Sequence, residues 1–350
     1  MEYPSNWFNI IEDAVILRYN SMKVKGDVDN SVLAGFLLYD NESKELSVIS
    51  LATGTKLMSG DIRKKTSSIG PFFVHDCHAE VLAHRCFQLW VWNELDSLFK
   101  NGTLDKKYTI HFYTSTPPCG DCCVHIKDGN VEVCTGAKPF GSDQSQLATS
   151  PPNVVRGKPG RGSRSQTVSC SDKLCLWLNS GLEGSLLSSF VERIFIDTVC
   201  IGNGNLDSCH RALFERVGTR PSAVLFVDSS KWNQKDDSPS AASFSWYQGS
   251  VSGELVASKF GRKFGVIEKQ QTDPRLIPSI CDLAMIHKYC LRKGIDTITI
   301  KEAKEKSSKY LSLKNIIKSS LLAHGSEWAN KFEDEKNYLF NVAQMIIKEK

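Results

Sequence analysis

The chain has 350 residues, 41% of them hydrophobic and 23% charged, with a net charge of +4. That is ample for a large core, built as one large domain or two small ones. No apolar run approaches the roughly 18 residues that cross a bilayer, and Met1-Glu2-Tyr3-Pro4 lacks the basic-then-apolar pattern of a secretory leader. A membrane role is therefore excluded, and an intracellular protein, in nucleus or cytoplasm, is expected. In such a compartment the twelve cysteines point to metal binding or burial rather than disulfides.

In chain order, Asn6 to Lys23 carries Trp7, Phe8, Ile10, Ile11, Ala14, Val15 and Leu17 at helical spacing, with Ser5 as its expected N-cap. Ala34–Tyr39 and Leu46–Leu51 read as a hairpin turning at Asp40–Ser43, and Thr53-Gly54-Thr55-Lys56 follows it. Val81 to Phe99 has the apolar stripe of a buried helix, and Tyr108–Thr114 alternates as a strand stopped by Pro117-Pro118. A cysteine-bearing helix is expected next. Residues 141–169 read as a long loop, with the basic run Arg156-Gly157-Lys158-Pro159-Gly160-Arg161-Gly162-Ser163-Arg164 inside it. Arg193–Val199 and Ala223–Val227 read as strands and Ser208–Val217 as a helix, while Lys231–Ser243 reads as a polar loop. Ile280–Leu291, Lys301–Leu322 and Ser326–Ile347 read as helices. Residues 259–350 hold 18 Lys and Arg against 11 Asp and Glu, so the positive excess lies in the last quarter. Such an excess is usually a solvated face, but it also suits nucleic acid or a polyphosphate. The order of elements predicts a three-layer α/β core in a single domain spanning 1–350.

The chemistry is concentrated in His75-Asp76-Cys77-His78-Ala79-Glu80 and Pro118-Cys119-Gly120-Asp121-Cys122. A His-x-Glu followed by Pro-Cys-x-x-Cys is the signature of zinc-dependent nucleobase deaminases. One imidazole and two thiolates hold the metal and leave a position for water, and the Glu moves the protons. His78, Cys119 and Glu80 follow from this. The third ligand does not: Cys122 fits the local spacing, and Cys170 in Ser169-Cys170-Ser171-Asp172-Lys173 is a distant candidate. Spacing leaves both open, and the other cysteines read as small buried hydrophobes.

Together with Trp177, Gly184–Leu187 and Phe190-Val191-Glu192, these motifs resemble the adenosine deaminases acting on RNA. The resemblance covers nearly the whole chain. It implies a cytidine-deaminase-like core with a mixed sheet, zinc held by His78, Cys119 and Cys170, and Glu80 as proton shuttle. It also implies an inositol hexakisphosphate buried among C-terminal helices. The residues matching its contacts are Arg85, Lys158, Thr167, Lys173, Ser185, Arg262, Lys304, Tyr310, Lys314, Trp328 and Lys331, with Asp76 and Lys158 linking the phosphates to the catalytic centre. His84 and Leu176 depart from arginines of the family pattern. No separate double-stranded-RNA-binding module is seen. The chain therefore resembles the bare-domain kind that acts on tRNA, at the adenosine just 3′ of the anticodon of tRNA-Ala. Thr55 and Lys56 match the segment near the flipped nucleotide, and Arg156, Lys158, Arg161 and Arg164 are expected on a loop that orders on RNA.

Three rival readings stand beside this one. They are double-stranded RNA editing with a partner, a free-nucleoside cytidine deaminase, and a non-catalytic zinc RNA-binding protein. The cytidine deaminase shares both motifs but needs far less chain. The binding protein needs no proton shuttle, yet Glu80 is present.

Overall fold

In a computed structural model, residues 2–24, 31–140, 151–158, 165, 167–218, 221–232, 240–323, 328 and 333–346 are described. Eight strands make the central sheet: β1 (Leu33–Asp40), β2 (Leu46–Thr53), β3 (Tyr108–Thr114), β4 (Thr198–Gly202), β5 (Val224–Asp228), β6 (Ala242–Tyr247), β7 (Glu254–Ala257) and β8 (Arg262–Lys263). Their order is β5-β4-β3-β1-β2-β6-β7-β8. The hairpin β1–β2 lies at the centre, antiparallel to β3 on one side and β6 on the other. Only β3, β4 and β5 run parallel to their neighbours in that half, so the sheet is mixed, as expected.

One face is covered by α1 (Trp7–Ser21), whose Trp7, Phe8, Ile11, Val15 and Tyr19 pack on Leu33, Leu37, Leu51 and Tyr113. The other face carries α2 (Ala79–Glu94) and α3 (Cys170–Ser180), which bury Leu82, Phe87, Trp90, Leu174 and Trp177 with Ala34 and Phe36. Side chains of successive strand residues point to opposite faces, which is why Leu33 and Ala34 join different layers. A register shift between Phe36 and Leu37 leaves Ile49 as the extra residue of β2. The bulge turns both Ile49 and Ser50 toward α2, where Ser50 Oγ donates to Ala83 O at 3.0 Å. The three layers predicted from element order are thus present, and α2 brings its N-terminus to the end of the sheet where β3 stops.

Several expectations need correction. The first helix is capped at Asn6, not Ser5, and without a side-chain bond. The helix after His78 ends at Glu94, and Phe99 instead pairs with Leu104 in a small two-stranded turn. No α-helix follows Pro118. Gly120 has a left-handed φ of 109°, which ends helical geometry there, and only a 3₁₀ turn at Asp121–Cys123 leads into the hairpin Val124–Lys127/Asn130–Val133. The strand expected at 193–199 begins at Thr198, because pairing with β3 starts only at His111; Ile194 and Ile196 are buried outside the sheet. The helix expected at 208–217 starts at Leu206 and passes into a π-helical stretch, Arg211–Glu215. In the polar 231–243 stretch, 233–239 lies outside the described residues, and β6 begins at Ala242. The 301–322 helix is two, Ile300–Glu305 with a capping box from Thr299 and Glu302, and α4 (Ser308–Leu322). The last expected helix is interrupted: Leu339–Asn341 pairs as a strand with Thr297–Thr299, so cross-chain pairing overrides the helical pattern. Among the described residues no helix is long and apolar enough to cross a membrane.

Candidate active site

His78 stands at the junction of the strand Asp76–His78 and α2, at the N-cap position with extended dihedrals. That strand pairs with Thr55–Leu57, setting Thr55 opposite His78 and Lys56 opposite Cys77. Cys119 sits on the loop after β3, and Cys170 opens α3, capped by Ser169, whose Oγ accepts from Asp172 N at 3.2 Å. The two cysteine segments are in contact. Ser171 N donates to Cys119 O at 3.0 Å, Cys170 N lies 3.4 Å from Cys119 Sγ, and a Cβ on Gly120 would fall 2.2 Å from Ser169 Oγ. The glycine of Pro-Cys-Gly-Asp is thus required both by its φ and by this approach.

His78 Nδ1 lies 3.8 Å from Cys119 Sγ and 3.7 Å from Cys170 Sγ, and the three donor atoms are all within 4.8 Å of one another. With Zn–N near 2.0 Å and Zn–S near 2.3 Å, tetrahedral ligand atoms stand about 3.6–3.8 Å apart. Both His78–sulfur distances fit that geometry. Cys122 is elsewhere. It is fully buried, its N–H donates to Ser171 Oγ at 3.0 Å, and its thiol bonds toward Cys209, with burial pushing its pKa up. Burial also raises the Cys170 thiol, whereas Cys119 is pulled below the usual thiol value, first by its bond from Cys170.

Glu80, on the first turn of α2, is 3% exposed. Burial raises its carboxyl above the ordinary range, opposed by His78 and Lys158. Its Oε2 has no hydrogen-bond partner among the described residues. A buried carboxylate oxygen left without a donor is costly, and this one belongs to the helical turn that directly follows His78 of the His/Cys/Cys cluster.

Behind the cluster, Lys158 is 2% exposed and donates to Asp76 Oδ1 and Cys170 Sγ, both at 2.9 Å. Lys173 reaches the other oxygen of Asp76. Burial alone would raise the Asp76 carboxyl, but Lys158 and Lys173 outweigh it and hold it well below its usual value. Asp76 and Lys158 are thus hydrogen-bonded to each other next to Cys170. The same burial corrects another expectation. Arg156 and Lys158 are both interior and do not belong to an RNA-facing loop, because each is consumed by carboxylates below the surface. Arg161 and Arg164 lie outside the described residues.

The residues matched to a polyphosphate converge in part. Arg85 donates to Asp282 Oδ1 at 2.6 Å, and Lys304 lies 3.7 Å from Asp282 Oδ2. His84 is pulled down to about 3 by burial and further by the nearby charges of Arg85, Lys173 and Lys314. Arg85 and Lys173, both only partly buried, are themselves paired with Asp282 and Asp76. Tyr310 on α4, Thr167 just before α3 and Ser185 just after it are all buried. Arg262 lies with its guanidinium 4.7 Å from the Phe260 ring, and Trp328 lies 4.9 Å from Lys318 Nζ. Lys331 lies outside the described residues. His84 stacks on Trp177 at 4.1 Å and bonds Leu182 O at 2.7 Å, and Leu176 is buried apolar, so neither position replaces an arginine.

Sequence reasoning missed Arg211 and Arg216, which reach Asp121 and Asp172 from the helix after β4. Nothing in their local sequence marks them, since their partners come from distant segments.

These residues agree with what the sequence is related to. A profile of the adenosine-deaminase (editase) domain family matches residues 50–332, and the chain belongs to that family. Among individual proteins, it is 32% identical over 216 residues to tRNA-specific adenosine deaminase 1 of Drosophila melanogaster, covering 54% of this chain and 53% of that one. It is 28% identical over 236 residues to tRNA-specific adenosine deaminase 1 of Schizosaccharomyces pombe, covering 57% of this chain and 58% of that one. It is 26% identical to double-stranded RNA-specific adenosine deaminase of Mus musculus over 88% of this chain but 30% of the relative. The matches to the tRNA-specific relatives thus span little more than half of those proteins.

Proposed function

We propose that this protein deaminates adenosine to inosine in tRNA, at the adenosine just 3′ of the anticodon of tRNA-Ala, with zinc held by His78, Cys119 and Cys170. The observation that carries the reading is the His/Cys/Cys cluster beside the buried, unpartnered Glu80 Oε2. Zinc supplies Lewis acidity that makes water a nucleophile at neutral pH. The chain's own residues do the rest. Glu80 takes a proton from the attacking water and delivers it to the departing amine, so adenosine and water give inosine and ammonia. Lys158 keeps positive charge against the Cys170 sulfur and ties it to Asp76. Thr55, opposite His78 on the adjoining strand, and Lys56 next to it are proposed to meet the flipped nucleotide's sugar and phosphate. The relatives named for tRNA deamination favour this substrate over double-stranded RNA.

Incubating the protein with candidate tRNAs and sequencing them, with inosine read as guanosine, tests the activity. Glu80→Gln should abolish conversion while metal content stays at one ion per chain; conversion retained in that variant refutes the proton-shuttle role. Conversion of cytidine instead of tRNA adenosine would refute the substrate. We also propose that inositol hexakisphosphate occupies the basic interior around Arg85, Lys173, Lys304 and Lys314. Native mass spectrometry of the purified chain should show it bound, and normal folding and activity from a host lacking inositol polyphosphates would refute it.

A further inference from the structure

The site described above uses Cys119 and Cys170 but leaves unexplained the charges packed behind them. Asp121 and Asp172 each lie two residues beyond one of these cysteines, and both are fully buried. Arg216, 4% exposed, follows the π-helical stretch Arg211–Glu215 and reaches both. Its Nη1 donates to Asp172 Oδ1 at 2.6 Å, and its Nε stands 3.9 Å from Asp121 Oδ2. Nε also donates to Ala212 O at 2.7 Å, so the guanidinium is oriented by its own helix. Asp172 is fixed from other sides by Ser169 Oγ at 2.5 Å and by Arg156 N at 2.9 Å. Asp121 accepts from Asn153 N at 2.9 Å and faces Arg211 at 3.6 Å and Arg156 at 3.8 Å.

We propose that Arg216 is a positioning residue for the two metal-binding cysteines. By spanning Asp121 and Asp172 it sets the separation of the Cys119 loop from the start of α3, and so the angle between the two sulfurs. The proposal rests on the zinc reading above. Its physical basis is that the two sulfurs sit on different segments: Cys119 on a loop before a positive-φ glycine, Cys170 on the first turn of α3. The hydrogen bonds between the two segments run from Ser171 N and Oγ to Cys119 O, from Ser171 Oγ to Pro118 O, from Cys122 N to Ser171 Oγ and from Cys170 N to Cys119 Sγ, and these leave the side chains of Asp121 and Asp172 to other partners. A planar, always-charged guanidinium with several fixed donors can bridge two carboxylates, and an ammonium cannot do so with the same geometry. A buried ion pair is weak evidence for stability, whereas fixing one arrangement is its better attested use.

The test compares wild type, Arg216→Met, Arg216→Lys and Asp121→Asn, each loaded with cobalt(II) and with zinc. It reads the visible cobalt spectrum, the rate of zinc transfer to a chromophoric chelator, thermal stability, and kcat and KM on tRNA. Residues that orient metal ligands typically change metal affinity by about 10–100-fold when lost. Arg216→Met should therefore release zinc roughly tenfold faster or more, shift the thiolate-to-cobalt bands, and lower kcat with KM unchanged. Arg216→Lys should regain thermal stability but not the wild-type spectrum. Variants that keep the wild-type cobalt spectrum and zinc release, losing only thermal stability, overturn the proposal. If Arg216→Met does not fold, Asp121→Asn decides it, because the amide keeps the shape and removes the charge; an unchanged spectrum there overturns it equally. A wild-type chain that binds no metal is a separate result, seen before any variant is made, and removes the zinc reading itself.

Discussion

Glu183 gives the most quantitative test of the packing around α3. Its carboxyl is 2% exposed, and burial raises its pKa from 4.5 to about 7, against bonds from its own backbone and from Ile194 N, the latter at 3.1 Å to Oε2. The folded chain therefore binds more protons at this site than the unfolded chain between those two values. Stability rises with pH only where the unfolded state binds more protons, so here the sign is reversed. Glu183's contribution is fully present below pH 4.5 and is lost as pH rises through about 7. One pKa unit is worth about 1.4 kcal/mol. On that scale wild type should lose about 2 kcal/mol from this group between pH 5.5 and 7.5. Glu183→Gln keeps an oxygen for Ile194 N and cannot ionise. It should be more stable than wild type by about 3 kcal/mol at pH 7.5 and by about half that at pH 5.5. Urea unfolding of both proteins across this range measures it, and metal loss at acid pH affects both alike. Parallel stability curves for the two proteins would refute the reasoning.

Three other outcomes are expected. Cys122→Ser should keep one metal per chain and tRNA deamination, whereas Cys170→Ser should lose both; the reverse pattern, by metal analysis and inosine sequencing, would move the third ligand. Lys158→Met leaves the buried Asp76 carboxylate with Lys173 as its remaining lysine partner, and should cost about 3–5 kcal/mol in urea unfolding; a loss under about 1 kcal/mol would contradict the burial of that pair. Cys134 is exposed, and its thiol is lowered to about 6 by its bond from Cys123, against some burial, and by His125 at 3.3 Å. At pH 7 it should be the first cysteine alkylated by iodoacetamide, as mapped by peptide mass spectrometry, since the thiolate is the reacting form. Slower reaction there than at the other cysteines would refute the shift.

The sequence by itself determined the parts whose information is local. Ala34–Tyr39 and Leu46–Leu51 are short apolar-rich runs with a turn between them, α1 and α2 show amphipathic stripes, and His-Ala-Glu and Pro-Cys-Gly-Asp put their donors at short spacings. These placed His78, Cys119 and Glu80 and the three layers. Tertiary structure decided what depends on contacts between distant segments. Cys122 and Cys170 both satisfy a ligand's chemistry, and only the approach of α3 to the Cys119 loop brings one sulfur to 3.7 Å from His78 while the other turns toward Cys209. Lys158 and Arg156 look in sequence like a solvated basic loop. They are interior because Asp76, Asp121 and Asp172 wait there, and a buried charge is tolerated where it finds a partner. Strand pairing at Leu339–Asn341 and at β6 to β8 escaped the periodicity for the same reason: a strand's stability lies in its neighbour, and the neighbour is far away along the chain.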